Sequence, residues 1–231
     1  MLRKISLLVV FVLGFCGMTV QARAQRTWND GDWTAWLGGP LAGGPIASLY
    51  DPNSKGVRNH YIGADQHVHE LSFSQFASID GLSPGIDASG DADLTALAGG
   101  PNAVGGIALI YGGFPQVFRS HYIAVDHHVH ELYLDGSGWH DADLTAIGGG
   151  PSAFVPTVEG FSAPIASVYD PISNCIRIHY LADAIPAVPG AELHLHELLL
   201  DAKGRWHPDA DLTAIWGGKL PLLRQRHRPD L

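Results

Sequence analysis

The sequence predicts an all-β protein made of three four-stranded antiparallel repeats of the kind that form β-propeller blades. Two phrases recur once per repeat and carry this prediction. The first begins with His-Tyr, ends with His-x-His-Glu-Leu, and covers residues 60–71, 121–132 and 179–198. The second reads Asp-Ala-Asp-Leu-Thr-Ala and begins at Asp91, Asp141 and Asp209. Glycine and proline are abundant, and no stretch of a dozen residues keeps the apolar spacing of a helix.

Each repeat contains four strand signals separated by turn residues, which is typical of an antiparallel meander. The first strands are predicted at 45–51, 106–112 and 164–170. The second strands are predicted at 57–64, 117–125 and 175–183. The third strands are predicted at 67–73, 127–134 and 192–200. The Asp-Ala-Asp-Leu-Thr-Ala phrase supplies the fourth strand. The insertions fall between strands, as surface loops do, at 74–90, 155–160 and 184–191.

The number of repeats raises the question of how the fold closes. A copy of the fourth-strand phrase at 28–35 precedes the first repeat, so the chain has three complete blades and one spare strand. A ring normally needs roughly four to eight blades. We therefore expect a homo-oligomer in which two or more chains complete a ring. A β-trefoil, which also has three units of four strands, is the alternative, although its usual Gln-x-Trp signature is missing.

The N-terminal residues predict a secretory signal peptide at 1–24. Arg3 and Lys4 form a basic start, an apolar run follows at 5–15, and an Ala-x-Ala site precedes Gln25. The apolar run is too short to span a membrane. We therefore expect a secreted or periplasmic protein without a membrane span. Its repeat domain occupies 25–222, and 223–231 is a basic, flexible tail.

Composition and motifs exclude several functional classes. The formal net charge is −9, which argues against a nucleic-acid partner, since such a partner selects a basic surface. No Gly-x-Ser-x-Gly motif, catalytic Cys/His set or phosphate loop is present. The paired aspartates of the second phrase recur three times, which is typical of capping carboxylates rather than of one glycosidase centre. We expect no enzyme activity, with a secreted glycoside hydrolase as the least favoured alternative.

At these phrases the chain resembles the PLL-type bacterial fucose-binding β-propeller lectins. The stretches that match the lectin blades run over nearly all of the chain after the signal peptide, and repeat 2 shows them in full. They read His121-Tyr122-Ile123, Asp126, His128-Val129-His130-Glu131-Leu132, Trp139-His140, Asp143-Leu144-Thr145 and Gly150-Pro151. The resemblance implies a secreted lectin that binds fucose or related, methylated glycans at its blade junctions, without catalysis.

A looser likeness to the fungal fucose lectins implies the ligand-binding residues. In those lectins an arginine and a glutamate on neighbouring strands hold the sugar, and an aromatic ring stacks on it. The positions that match are Arg58 with Glu70, Arg119 with Glu131, and Arg177 with Glu197, followed by Trp139 and Trp206. Repeat 1 has no tryptophan between Glu70 and Asp91.

The chemistry of these residue types suits a sugar, because a charged pair can bind neighbouring hydroxyls and an aromatic face can cover the C–H side. The alternative is a structural or protein-interaction propeller, in which each pair is an ion pair across a hairpin and each tryptophan is core. The length of the turn between the second and third strands decides whether the arginine and the glutamate can meet. A two-residue turn places Arg58 and Glu70 on opposite faces of the sheet, whereas a three-residue turn places them on one face.

The histidine pairs of the first phrase suggest a metal site. The two rings of each His-x-His lie on one face of a strand, a spacing that can chelate zinc or copper. However, the repeated glutamate next to them points to the other face. We therefore expect half-buried structural histidines, with no metal and no cofactor.

Overall fold

A computed structural model describes residues 32–73, 88–113, 116–156, 162–183 and 192–217. The predicted signal peptide, the predicted basic tail and most of the three insertions lie outside these residues. The described part confirms the all-β prediction: it contains three four-stranded antiparallel sheets, and each sheet comes from one repeat. Three separate blades exclude the β-trefoil alternative.

The strands lie in sequence order within each blade. Blade 1 contains β1 (Ala42–Asp51), β2 (Gly56–Gly63), β3 (Val68–Phe73) and β4 (Ala88–Asp93). Blade 2 contains β5 (Ala103–Gly112), β6 (Val117–Ala124), β7 (Val129–Asp135) and β8 (Gly138–Asp143). Blade 3 contains β9 (Ile165–Asp170), β10 (Cys175–Asp183), β11 (Leu193–Leu200) and β12 (Ala210–Asp211). The first strands β1, β5 and β9 pack on one another in this order, so the blades follow in sequence.

Four one-turn helices lie among the described residues, where the sequence predicted none. They are α1 (Trp33–Leu37), α2 (Leu94–Ala98), α3 (Leu144–Gly148) and α4 (Leu212–Trp216). The second half of each fourth-strand phrase is therefore helical. The reason is visible in α2, where Asp93 caps the helix by accepting the Ala96 N–H at 2.8 Å, and Gly99 ends it at φ 72°. The capping role predicted for the aspartate pairs is confirmed for the second member of each pair, whereas the first member bonds a tyrosine and a histidine side chain.

The spare fourth-strand phrase at 28–35 lies partly outside the described residues. Its second half begins α1, which packs on β3 and β4 of blade 1. Trp33 anchors it with an edge-to-face contact to Phe73, 4.8 Å between ring centroids. The second half of this phrase is therefore helical, as it is in the other three copies.

The hydrophobic core lies between neighbouring blades. One cluster joins blades 1 and 2 and includes Ile62, Ile107 and Leu132. A second joins blades 2 and 3 and includes Ile123, Ile178 and Leu198. The apolar face of each sheet therefore packs against the next sheet and is excluded from water, as the alternation of apolar and polar residues along the strands requires.

A buried tyrosine ties each blade to the loop before it. Tyr122 in blade 2 donates its hydroxyl to Asp141 and to the Pro101 carbonyl, each at 3.1 Å. Tyr61 and Tyr180 make the same pair of bonds in the other blades. Burial, with the neighbouring carboxylate, raises the pKa of Tyr122 far above its usual range, so the ring stays a neutral donor. No helix in the described part of the chain is long and apolar enough to cross a membrane.

Candidate functional site

The turn between the second and third strands fixes which side chains meet. In blade 1 the Gly63 N–H donates to the His67 carbonyl at 2.9 Å, which leaves three residues in the turn. Gln66 takes a left-handed conformation there, φ 68°. The register then places His60 opposite Glu70 and Arg58 opposite Ser72. The three-residue alternative is therefore the right one, and Arg58, His60 and Glu70 share one face of the blade.

In blade 1 these three side chains form a connected charged site. Nη1 of Arg58 donates to both carboxylate oxygens of Glu70, at 2.9 and 2.8 Å. Nε2 of His60 lies 2.8 Å from Oε2 of the same glutamate. Nε of Arg58 donates to Asp51 at 3.1 Å. The charges of this set lie on the three neighbouring strands β1, β2 and β3, so their geometry is fixed in advance.

The charged state of Glu70 is maintained by its partners. Burial by itself raises the pKa of this carboxyl, but the hydrogen bond from His60 and the charge of Arg58 outweigh burial and hold the pKa below its usual range. Burial by itself lowers the pKa of the Arg58 guanidinium, and Glu70 and Asp51 more than reverse this. The pair is therefore ionic at neutral pH.

The aromatic rings of this site come from the next blade. The Arg58 guanidinium lies over the Phe118 ring, 4.3 Å from its centroid. Trp139 meets His60 edge to face, 6.0 Å between ring centroids. Trp139 therefore belongs with Arg58 and Glu70 at the junction of blades 1 and 2. This corrects the assignment made from sequence, which joined Trp139 to Glu131 and left repeat 1 without an aromatic partner.

The equivalent pair of blade 2 is enclosed. Nη1 of Arg119 donates to both oxygens of Glu131, and only 7% of Arg119 and 1% of Glu131 are exposed. Arg119 also lies over the Tyr133 ring, at 5.6 Å. Nε of Arg119 has no hydrogen-bond partner among the described residues. Gly112 stands where blade 1 has Asp51, since each is the last residue of its first strand.

Other contacts at the junction of blades 2 and 3 complete this enclosure. The Ser167 hydroxyl lies 2.8 Å from Nδ1 of His121. Trp206, opposite Leu200 on the third sheet, packs against the core between these blades. Trp206 of blade 3 therefore lies at the junction with blade 2, as Trp139 of blade 2 lies at the junction with blade 1.

The pair of blade 3 lies at the open edge of the described sheets. Arg177 donates to Glu197 at 2.7 Å, and Nε2 of His179 lies 3.0 Å from the same carboxylate. The Arg177 side chain is 39% exposed and that of His179 is 28% exposed. Glu197 raises the pKa of Arg177 through its hydrogen bond and its charge. No further blade among the described residues supplies an aromatic ring here.

The three sites therefore share one charged motif but differ in what covers it. The motif offers a planar donor fork, a carboxylate with a remaining lone pair and, at the junction of blades 1 and 2, an aromatic edge. Such a set can bind a polyol by hydrogen bonds. A cavity of about 380 Å³ lies away from these three sites. Its lining includes Gly43, Ile62 and Gly105 but none of the predicted site residues.

Comparisons with known proteins give structural likenesses only. No protein-family model matches the chain, and no curated protein matches it. A mutant of the Aleuria aurantia lectin in complex with Fucalpha1-6GlcNAc aligns with 81% of this chain and 51% of its own, at 17% identity and a TM-score of 0.48. This chain thus spans about half the length of that lectin.

Two further solved structures align in the same way. SapL1 lectin in complex with alpha methyl fucoside aligns with 74% of this chain and 49% of its own, at 19% identity and a TM-score of 0.45. A fucose lectin from Kordia zhangzhouensis in complex with methyl-fucoside aligns with 71% of this chain and 96% of its own, at 15% identity and a TM-score of 0.40. A likeness at these scores and identities says nothing about the ligand of this chain.

Proposed function

We propose that the protein is a secreted or periplasmic lectin that binds fucose or a related, methylated glycan at its blade junctions and does no catalysis. One observation carries the proposal. An Arg–His–Glu set recurs at the same positions of all three blades; the histidine contacts the glutamate at 2.8 Å in blade 1 and 3.0 Å in blade 3 and lies 3.8 Å from it in blade 2. At the junction of blades 1 and 2 the set meets aromatic rings from the next blade. A set that recurs in this way suits repeated binding better than a single active centre.

The junction of blades 1 and 2 is the site best formed for a sugar. Arg58 keeps part of its side chain in solvent, 19%, while Glu70 is nearly enclosed. A sugar hydroxyl can therefore reach the guanidinium edge and the free lone pair of the carboxylate. Its C–H face can lie toward Trp139, which is half-buried at this junction, whereas Phe118 is buried beneath Arg58. The motif resemblance to fucose lectins supports a deoxyhexose as the sugar.

A titration calorimetry series with methyl α-L-fucoside and its methylated analogues tests this site. Arg58→Lys keeps the charge but loses the planar fork, so we expect binding to weaken by about tenfold or more. The matched control is Arg205→Ala, because Arg205 is an exposed arginine paired with Asp201 in a loop. A folded wild-type protein that binds no fucosylated glycan on an array, or equal binding by the two variants, would overturn the proposal.

We also propose that two copies complete a six-bladed ring. The two open edges expose residues whose equivalents are buried inside. Val57 of blade 1 is 41% exposed, whereas Phe118, at the same place in blade 2, is 5% exposed. Val168 of blade 3 is 48% exposed, whereas Ile110, at the same place in blade 2, is 6% exposed. A second copy that sets its blade 1 against blade 3 covers both edges and supplies the missing neighbour of Arg177.

A second function is supported by the junction of blades 2 and 3. There the Arg119–Glu131 pair is enclosed, which favours a packing role at that junction. A structural or protein-interaction propeller without a sugar site would have this character at every junction. It predicts that Glu131→Gln and Arg58→Lys alter stability while no glycan binds to any form of the protein.

A further inference from the structure

We propose that blades 1 and 2 each carry a binding site for one divalent transition-metal ion of the zinc class. The donors of each site are two histidines and two aspartates at the turn end of the third strand. The blade 1 cluster consists of Asp65, His67, His69 and Asp93. The blade 2 cluster consists of Asp126, His128, His130 and Asp143. The sequence suggested no metal because the adjacent glutamates point away, but the turn and the fourth strand supply other carboxylates.

The donor atoms are already close together. In each cluster the four ligand atoms lie within 4.8 Å of one another. In blade 2, Oδ2 of Asp126 is 3.1 Å from Nε2 of His130 and 3.9 Å from Nδ1 of His128. Nδ1 of His128 is 2.7 Å from Oδ2 of Asp143. Two imidazole nitrogens and two carboxylate oxygens form a common zinc donor set, and small rotations bring them to bonding distance.

Each carboxylate uses one oxygen to hold the backbone and turns the other toward the cluster. Oδ1 of Asp126 accepts the His128 N–H at 2.9 Å. Oδ1 of Asp143 caps α3 by accepting the Ala146 N–H at 2.8 Å. A metal ion bound by the second oxygens leaves both of these bonds in place. The blade 1 cluster repeats the arrangement, with the oxygens of Asp65 and Asp93 divided in the same way.

A further carboxylate, outside the donor set, orients the buried histidine. Nδ1 of His130 lies 3.0 Å from Oδ2 of Asp141, and Asp141 in turn accepts the Tyr122 hydroxyl. His69 has the same support from Asp91, at 2.7 Å. A carboxylate on Nδ1 leaves Nε2 as the ligand atom, and it is the support that metal-binding histidines usually have.

The surroundings allow an ion to enter and be retained. His130 is buried, whereas Asp126 is exposed and His128 and Asp143 are half-buried, so the cluster opens to solvent on one side. When no ion is bound, a proton must lie between the nitrogen and the oxygen in each short histidine–aspartate contact of the cluster. A divalent cation can replace those protons and join the carboxylates directly.

Blade 3 is a natural comparison within the same chain. His194, His196 and Asp211 repeat three of the donors, with 2.6 Å between Nδ1 of His194 and Oδ2 of Asp211. The sequence between Asp183 and Glu192 contains no aspartate or glutamate. Among the described residues the blade 3 cluster therefore has three donors and no fourth carboxylate, and Glu192, two residues before His194, is not one of its members. We expect its affinity for a metal to be at least about tenfold weaker.

The test uses tag-free, chelator-treated protein titrated with Zn²⁺ by calorimetry, with Co²⁺ absorption as a second readout. We expect two tight sites per chain and a tetrahedral Co²⁺ spectrum. Asp126→Asn and Asp65→Asn should each remove one tight site, and the double variant should remove both. Asp135→Asn is the matched control, since Asp135 bonds His140 outside the clusters.

Two results would overturn the proposal. One is wild-type protein that binds no Zn²⁺ in a saturable way and gives only the spectrum of hydrated Co²⁺. The other is unchanged stoichiometry in the folded double variant. The Co²⁺ spectrum of the wild type decides the question even where a variant fails to fold.

Discussion

At the residue scale, burial decides what each arginine–glutamate pair contributes to stability. The pairs of blades 2 and 3 have the same partners and register, but Glu131 and Arg119 are enclosed while Arg177 is open to water. Removing one member of an enclosed pair leaves an uncompensated charge, whereas an exposed pair is screened by solvent. Repeat proteins of this kind therefore provide matched pairs for measuring the effect.

We predict that Glu131→Gln lowers the free energy of unfolding by about 3–5 kcal/mol. Its matched control, Glu197→Gln at the same position of blade 3, should lower it by about 1 kcal/mol or less in the monomeric protein, where no second copy covers Arg177. Denaturant unfolding of the two variants measures the difference. Equal losses in the free energy of unfolding would show that water reaches Arg119 at the junction of blades 2 and 3.

A second residue-scale prediction concerns acid. The pKa of Glu70 is lower in the folded protein than its ordinary value of 4.5, because its partners outweigh its burial. A lowered carboxyl pKa contributes stability that is complete above the ordinary value and is lost as the pH falls through the folded value.

We therefore expect the Glu70→Gln variant to be less stable than the wild type at neutral pH and to lose less stability below about pH 4.5. Unfolding titrations at a series of pH values measure both slopes. Parallel curves would mean that folding does not lower the pKa of Glu70.

At the scale of the element, a threonine joins each of the helices α2, α3 and α4 to the third strand of its blade. Thr145 in α3 is buried and accepts the Val129 N–H at 2.8 Å through its hydroxyl. Thr95 and Thr213 do the same in the other blades. This bond satisfies a backbone donor at the start of the strand, where the turn has interrupted the sheet ladder.

We predict that Thr145→Val, which keeps the shape but removes the acceptor, lowers the free energy of unfolding by about 1–3 kcal/mol. Thr145→Ser keeps the hydroxyl and should cost much less. Thermal unfolding of both variants makes the comparison. A loss in Thr145→Ser as large as that in Thr145→Val would mean that the hydrogen bond contributes no more to stability than the buried methyl group does.

The elements also show what the sequence could and could not predict. The repeated phrases predicted the strand positions, and the motif resemblance pointed to Arg58 and Glu70 as site residues. The turn length was open, because Gln66 and His127 adopt positive φ without being glycine. The short helices escaped detection because five residues are too few to show a helical period.

Trp139 was assigned to its own repeat because chain order does not reveal which blade a face packs against. The sequence does not reveal that Asp65 and Asp126 approach the histidines, since this approach depends on the turn geometry. Long-range placement of this kind comes from packing and not from local pattern.

At the scale of the molecule, closure of the ring has a structural consequence. α1 packs on β4 of blade 1 much as α2 packs on β8 of blade 2. In a two-chain ring, α4 of one copy reaches the place on blade 1 that α1 of the other copy holds. In a closed ring, one of these two helices must therefore be displaced from blade 1.

We predict a dimer in solution, measured by light scattering after gel filtration. Val168→Asp at the open edge of blade 3 should shift the protein toward the monomer, since it places a charge in the new junction. The matched control is Ile172→Asp, because Ile172 is an exposed apolar residue in the turn between β9 and β10. A monomeric wild-type protein would contradict ring closure by two chains.

The most direct measurement is a crystal structure of the protein soaked with methyl α-L-fucoside. The account predicts sugar density between blades 1 and 2, with hydroxyls bonded to Arg58 and Glu70 and the ring beside Trp139. Density only at other surfaces, or an unchanged junction at saturating sugar, would contradict it.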